Sequence, residues 1–504
     1  MSFQNTSKQK WKIYLYFLFL SLFLSLFAFG SSPFYPIEDW ADPNCFFTVG
    51  KAMLNGKVVY RDIYEQKGFY VYFLHAFCAW ISDTSFIGVF FFEILLLFFV
   101  LLFSWKILTL YYERRTTTKL ICSTIFAVSV AFSTAMSTGN SVEEFVSPFF
   151  LWILYLTLKC IKNDDAFKKA DYFLIGIFAG IVFWSKFTLV AFFVGWFVFF
   201  VFRNVRRKTL IEIPKCILFV ILGFLLATLP GLLYFFAHNA VGEWLTAYVY
   251  DNLFVYSGTR SFWKTLWYPL KNIALTLFKN LLYGIFVVFG IVWFSWKKRG
   301  EERLLLTIVP AITAILLFIG GRGYRYYGLP LYIFGIFGYI ALIEIGVERF
   351  ITSRLWAKIA IFLVVFGCCV GCAFSNGTVY YLFREKEDTV QYTFAKYINE
   401  NGGGEATLLN YGFLDRGFYL ALDQNPRFKY FCTLNIPLKE MYKETERYLE
   451  EGIPDFVVAL RSGDKSDISM NSENYSEILR QEAWYRGKRV LYILYQKNQT
   501  EIFP

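Results

Sequence analysis

Long apolar runs separated by short polar connectors make up most of the chain. They read approximately as Ile13–Gly30, Phe86–Leu110, Leu120–Met136, Phe145–Cys160, Tyr172–Lys186, Phe187–Phe202, Ile211–Phe236, Leu275–Trp296, Leu304–Gly320, Tyr327–Gly346 and Ile359–Phe374. Many approach the roughly 20 residues that carry a helix across a bilayer, so the pattern predicts an all-α polytopic membrane protein with about 11 transmembrane helices. Phe69–Ser82 is also apolar, but its roughly 14 residues suit an interfacial or re-entrant helix. The stretch Tyr172–Phe202 is flanked by the basic segments Lys159–Lys169 and Arg203–Lys208. Both flanks belong on one side of the membrane, which requires an even number of crossings between them. Two helices of about 15 residues, each about 23 Å long, satisfy that parity and place their tip near Lys186.

After Phe374 the pattern changes. Ala406–Tyr411, Asp455–Leu460 and Arg489–Gln496 read as short strands and Pro437–Glu451 as a helix. The expected organisation is a transmembrane domain over residues 1–375, with a first extracytoplasmic loop at 31–85 containing interfacial helices, and a small extracytoplasmic α/β domain over 376–504. An odd number of crossings separates the two termini. The basic, uncleaved N-terminal anchor belongs in the cytoplasm, so the C-terminal domain belongs outside.

Composition sharpens the class. The 504 residues are 57% hydrophobic and 18% charged, with 60 Phe, and the mean hydropathy is +0.44. That excludes a soluble enzyme or a disordered scaffold. The net charge of +11 would fit a nucleic-acid binder, but the basic residues cluster between apolar runs. Such clusters (Arg114 and Arg115; Arg203, Arg206 and Arg207; Lys297 and Lys298; Arg349 and Arg354) mark the cytoplasmic side. The charge reports topology, and no nucleic-acid partner is expected. The nine cysteines lie mostly in apolar runs, where Cys acts as a small filler. The tail holds only Cys432, so it cannot form an internal disulfide.

The acids and bases that topology leaves unexplained fall in the predicted outward loops. The first loop carries Glu38-Asp39-Trp40-Ala41-Asp42, then Lys51-Ala52-Met53-Leu54-Asn55-Gly56, then Tyr60-Arg61-Asp62-Ile63-Tyr64-Glu65-Gln66-Lys67-Gly68. A second loop offers Glu143 and Glu144. A third, Gly321-Arg322-Gly323-Tyr324-Arg325-Tyr326-Tyr327, is doubly basic against the positive-inside trend. Lys186 interrupts an apolar hairpin, which is costly unless it meets an anion or a cavity. The chain contains no Walker A loop, GxSxG or HExxH motif.

An acid eleven residues before Met53-Leu54, then Tyr60-Arg61-Asp62 and Lys67-Gly68 before an apolar helix, resembles the first periplasmic loop of GT-C glycosyltransferases. Bacterial aminoarabinose transferases and protein O-mannosyltransferases are members of that superfamily. The second acidic site, Trp184-Ser185-Lys186 and the outward tail agree with it.

The resemblance implies transfer of a sugar from a polyprenyl-phosphate carrier to an extracytoplasmic acceptor, with inversion, in a bacterial plasma membrane. The acceptor class stays open among polysaccharide, teichoic acid, glycolipid and protein. The resemblance makes Asp42 the general base, with Asp39 its rival. Lys67, Lys186, Arg322 and Arg325 become phosphate ligands, with Arg61, Lys51 and Tyr324 beside them. Glu143 and Glu144 become acceptor ligands or, as in some relatives, divalent-metal ligands; no other cofactor is implied. Relatives often carry a His in the third loop, which is absent here. The rival readings are a polyprenyl-linked glycan transporter or flippase, with ionisable groups near the midplane, and a non-catalytic glycan-assembly protein.

Overall fold

The structure, a computed structural model, describes residues 3–113, 115–256, 262–320, 322–346, 355–375, 380–382, 384–461, 473–485 and 488–498. Arg114, Gly321, Arg349 and Arg354, named above, lie outside them. The chain is a multi-pass helical membrane protein. Its first nine helices are α1 (Phe3–Ala28), α2 (Ala41–Leu54), α3 (Phe69–Ile81), α4 (Ile87–Tyr111), α5 (Thr116–Ala131), α6 (Val142–Lys162), α7 (Lys169–Phe183), α8 (Ala191–Arg207) and α9 (Glu212–Ala237). They are followed by α10 (Val241–Trp244), a π-helix (Leu245–Tyr256), α11 (Phe262–Lys279), α12 (Leu281–Lys297), α13 (Glu301–Leu317), a 3-10 segment (Arg325–Gly335), α14 (Ile336–Glu344) and α15 (Leu355–Ser375).

Among the described residues six helices are long and apolar enough to span a membrane, or seven if one bent pair is counted as a span. The sequence pattern predicts about eleven. The difference lies in apolar helices that stop short: α5 has 16 residues, α7 has 15 and α13 has 17. The predicted Leu275–Trp296 span is corrected to two helices meeting at 118°. Asn280 sits at that corner, where its side-chain oxygen accepts hydrogen bonds from the Thr134 hydroxyl at 2.8 Å and the Ala135 N–H at 2.9 Å. The Asn280 amide in turn donates to the Thr276 carbonyl at 2.8 Å, so this buried side chain fixes the bend.

The chain divides into two compact units, one comprising 1–29, 91–231 and 259–372, the other 30–90, 232–258 and 373–504. In the first unit, α9 turns Leu218, Leu222, Leu225 and Leu229 outward. Only 28% of its apolar window is buried, against 83% for Arg325–Glu344; the former is a helix facing lipid and the latter a helix enclosed by protein.

Ion pairs tie one end of this unit together. Lys162 pairs with Glu302 at 2.7 Å, Arg203 with Glu301 at 2.8 Å, Arg207 with Asp164 at 2.8 Å, and Lys298 with Glu344 at 2.6 Å. The ends of α6, α8, α12 and α14 and the start of α13 therefore share one end. The basic flanks of the hairpin return to it, since Arg203 reaches the Asp165 carbonyl and Phe167 packs on Phe200. The break between α7 and α8 falls at Trp184–Lys186, where the parity argument places it.

In the second unit, α2 packs on α3 so closely that a side chain at Gly50 would strike the His75 Cβ at 2.6 Å. The tail contributes a four-stranded sheet of β1 (Leu408–Tyr411), β2 (Phe456–Arg461), β3 (Tyr475–Tyr485) and β4 (Lys488–Lys497), ordered β1-β2-β4-β3. β1 and β2 are parallel and the other pairs antiparallel. Leu409, Val457, Phe428 and Leu449 form its core.

The tail also grips the first loop. Asp415 is fully buried and accepts hydrogen bonds from the Thr48 hydroxyl at 2.8 Å, the Asn410 amide at 2.9 Å and the Phe418 N–H at 3.2 Å. Lys51 pairs with Asp423 and donates to the Asp83 carbonyl at 3.1 Å.

Candidate active site

The site residues fall into two groups, one in each unit. In the second unit, Asp42 lies half-exposed in the first turn of α2, where the helix N-terminus favours negative charge. Asp39 is 5% exposed and its charge acts on Arg416, Tyr381 and Tyr492. Arg416 donates to the Tyr492 hydroxyl at 2.7 Å and stacks 3.3 Å above the Tyr485 ring. Burial disfavours the Arg416 charge, but Tyr492, Tyr485 and Asp39 offset that and hold its pKa above the ordinary value. The two rival acids thus differ in setting: Asp39 is enclosed by the tail, and Asp42 keeps an accessible face.

Lys67 follows a tightly held turn. Tyr60 adopts φ 71°, a left-handed conformation rare for an aromatic residue. Its N–H donates to the Ile63 carbonyl at 2.7 Å, and its hydroxyl donates to the Lys67 carbonyl. The Lys67 N–H donates to the Glu65 carboxylate at 2.9 Å and to the Tyr72 hydroxyl at 2.8 Å. The Lys67 ammonium lies 3.8 Å from Glu65 and 5.3 Å above the Phe46 ring.

Arg61 is committed elsewhere, to Asp62 at 2.8 and 3.0 Å and to the His238 carbonyl at 2.8 Å. The π-helix supports the same turn: Asp251 accepts from the Tyr64 hydroxyl at 2.7 Å, and Asn252 donates to the Gln66 carbonyl at 2.8 Å. Burial raises the Asp251 pKa above its ordinary value. The sequence pattern does not single out Asp251, Asn252 or Arg416, because each acts through a contact distant in sequence.

In the first unit, Lys186 occupies the break between α7 and α8. Its ammonium sits 2.5 Å from the Glu143 carboxylate, 3.7 Å from the centre of the Tyr327 ring and 5.1 Å from that of Tyr326. Glu143 is 1% exposed. The rings continue outward as Tyr326 lies 5.9 Å from Tyr324, and the Tyr324 hydroxyl meets Arg322 at 3.3 Å. Lys186, Glu143, Tyr324 and Arg322 therefore form one contiguous cluster, beside which Arg325 is exposed. The tyrosines are visible in the sequence as a run; their contact with Lys186 is not.

The cluster lies at the start of α6, whose 21 residues separate it by about 31 Å from the basic end. Glu144 has a different task, accepting the Asn140 N–H at 2.7 Å while its own N–H donates to Ser141. That arrangement caps α6. Glu93, buried in α4, lies against the same turn, since a side chain at Gly139 (φ 87°) would fall 2.2 Å from its carboxylate. Among the described residues no three His, Cys, Asp or Glu are grouped to hold a metal ion. With Glu143 on Lys186 and Glu144 on the helix start, the acids named for a metal do not fit one.

In fold, and over part of the sequence, the chain resembles membrane glycosyltransferases. Residues 66–234, about a third of the chain, match the family model for dolichyl-phosphate-mannose-protein mannosyltransferase. Among solved structures, the chain is similar to ArnT from Cupriavidus metallidurans bound to undecaprenyl phosphate, with a TM-score of 0.58 at 14% identity, covering 95% of this chain and 97% of that one. The apo state of the same ArnT gives a TM-score of 0.57 at 12% identity, with 97% and 98% covered. At this identity the likeness is one of fold. No curated protein matches the sequence.

Proposed function

We propose that this protein transfers a sugar from a polyprenyl-phosphate carrier to an acceptor on the extracytoplasmic face of a bacterial plasma membrane, with its N-terminus in the cytoplasm and its tail outside. The observation that carries the reading is the Lys186 cluster. A cation inside an apolar hairpin is held by one carboxylate and two aromatic faces, about 31 Å from the basic end of its unit. A lipid phosphate at the opposite leaflet is the anion such a group suits. The ArnT fold supports the same reading, because that relative is seen with undecaprenyl phosphate.

In the proposed reaction the Asp42 carboxylate accepts the proton of an acceptor hydroxyl as its oxygen bonds to the anomeric carbon. The bond from that carbon to the carrier phosphate breaks on the opposite face and leaves its electron pair on the phosphate, so the centre inverts. Lys67 stabilises the charge that develops there. Within the first unit, Glu143 and the Tyr327 ring hold Lys186, beside Arg322, as a group suited to a lipid phosphate, and in the second unit the π-helix holds the turn that presents Lys67. Asp39 serves as the counter-ion of Arg416.

The test is incubation of purified protein with a panel of polyprenyl-phosphate sugars, scored by release of polyprenyl phosphate. Release that depends on Asp42 supports the reading. Failure of every donor, in protein that still binds polyprenyl phosphate, would favour a carrier-binding or flippase role.

A further inference from the structure

In the first unit α4 and α6 run side by side. Phe92 packs on Phe145 at 5.6 Å toward one end, and the Lys162 ammonium lies 4.1 Å from the centre of the Tyr111 ring at the other. Between these contacts Lys106 of α4 reaches across to α6. Its ammonium is 5.4 Å from the centre of the Tyr155 ring and 5.7 Å from that of Phe103. Lys159 stands one turn beyond Tyr155 on the same face of α6, and its charge acts on Lys106. Lys159 is exposed and Lys106 half-buried. Two like charges thus share one face of the helix pair, with Lys106 about 7.5 Å inside the end of α4.

Other cations at this end are neutralised within the chain. Lys162, Arg203, Arg207 and Lys298 each meet a carboxylate. Among the described residues no carboxylate comes within ion-pair distance of Lys106 or Lys159. Two ammonium groups at the edge of a low-dielectric layer repel one another, and an anion from outside the chain relieves that repulsion. The surroundings say which anion. Phe99, Phe103 and Lys106 fall on one stripe of α4, and the two rings stack with centres 6.0 Å apart. Both rings are half-buried, so they offer an apolar surface leading from the ammonium pair toward the bilayer interior. A soluble phosphate would gain the charges without the stripe. A zwitterionic headgroup would bring a cation of its own.

We infer that Lys106 and Lys159 hold the headgroup phosphate of an anionic glycerophospholipid, whose acyl chains lie along Phe103 and Phe99. The inference is independent of the transferase reading, since the Lys186 cluster lies at the opposite end of α6.

The test is native mass spectrometry of full-length protein, purified free of lipid in a neutral detergent. The ligands are phosphatidylglycerol, phosphatidylcholine with the same acyl chains, and glycerol 3-phosphate. Phosphatidylglycerol should bind about five- to thirtyfold more tightly than phosphatidylcholine, because each lysine near an anionic headgroup is worth about fivefold. Lys106→Met combined with Lys159→Met should abolish the preference, and Lys106→Arg combined with Lys159→Arg should keep it. Lys168→Met with Arg206→Met removes two exposed cations from the same end and should also keep it.

Equal affinity for the two lipids overturns the site, as does a preference that survives the paired methionine changes. An equal loss in the Lys168→Met and Arg206→Met protein overturns it too, because any two positive charges would then serve. Should the paired methionine variant fail to fold, Lys159→Met alone, at an exposed position, should lower the preference about fivefold, and an unchanged preference there is equally fatal. Displacement of phosphatidylglycerol by glycerol 3-phosphate would make this a site for soluble phosphates and remove the lipid.

Discussion

Replacing Glu143 by Gln removes the charge that faces Lys186 while keeping the size of the side chain. The pair is 2.5 Å apart, with the Glu143 side chain 1% and that of Lys186 11% exposed. Removing one partner of a pair this buried costs about 3–5 kcal/mol. The Tyr327 face, 3.7 Å away, retains about 1–2 kcal/mol of favourable interaction for the cation. A net loss of roughly 1–4 kcal/mol is expected.

A polyprenyl phosphate that binds Lys186 replaces the missing anion. At a hundred times its Kd it adds about 2.7 kcal/mol to the folded state. In the wild type the same lipid competes with Glu143 and contributes less. Thermal unfolding followed by tryptophan fluorescence, with and without undecaprenyl phosphate, should therefore show a larger lipid-induced rise in Tm for Glu143→Gln than for wild type. Lys186→Met leaves a buried carboxylate and should be destabilised without rescue, and Glu143→Gln combined with Lys186→Met should be more stable than Lys186→Met alone. If the lipid shifts Glu143→Gln no more than wild type, Lys186 is a structural anchor and the phosphate role is refuted.

Three further outcomes follow from other parts of the molecule. Asp42→Asn should lower turnover by about 10²–10⁴-fold without unfolding, whereas Asp39→Asn should mainly lower thermal stability by loosening Arg416; an active Asp42→Asn beside a dead Asp39→Asn would reverse the assignment. Burial pushes Asp415 up to about 6, despite hydrogen bonds from Thr48, Phe418, Gly417 and Asn410 that act the other way. The native state then holds more protons than the unfolded one between about pH 3.8 and 6, so stability falls by about 3 kcal/mol as pH rises through that window. The loss should be reduced in Asp415→Asn, and parallel pH–stability curves for the two proteins would remove Asp415 as its source. Cysteines introduced at Arg206 and Lys443, both exposed, should label from opposite faces of the membrane; labelling from one face would remove a crossing.

Where local pattern decides the structure, the sequence is a good guide. The long apolar runs of α4 and α9 begin and end within a residue or two of their predicted limits, because hydropathy and flanking charge determine both. The break at Lys186 is legible for the same reason, through the basic segments on either side. The corner at Asn280 is not, since a continuous apolar run conceals a bend held by Thr134 and Ala135 from the turn after α5. β3 is likewise hidden: its polar residues read as a loop until Lys488–Lys497 pairs with it. The candidate site follows the same division. Residue types and their order point to Asp42, Lys67 and Lys186, while the partners that set their roles (Arg416 for Asp39, Glu143 and Tyr327 for Lys186) depend on tertiary contact.

The grip of the tail on the first loop also sets a timetable for synthesis. Thr48 waits for Asp415, 367 residues later, and Lys51 for Asp423, 372 residues later. At about 5–20 residues per second, the helix carrying Asp42 emerges roughly twenty seconds to a minute before its partners exist. During that interval Thr48 lacks its hydrogen bond to Asp415 and Lys51 its pairing with Asp423. Assembly of the proposed catalytic segment is consequently deferred until residues 415–423 have been made.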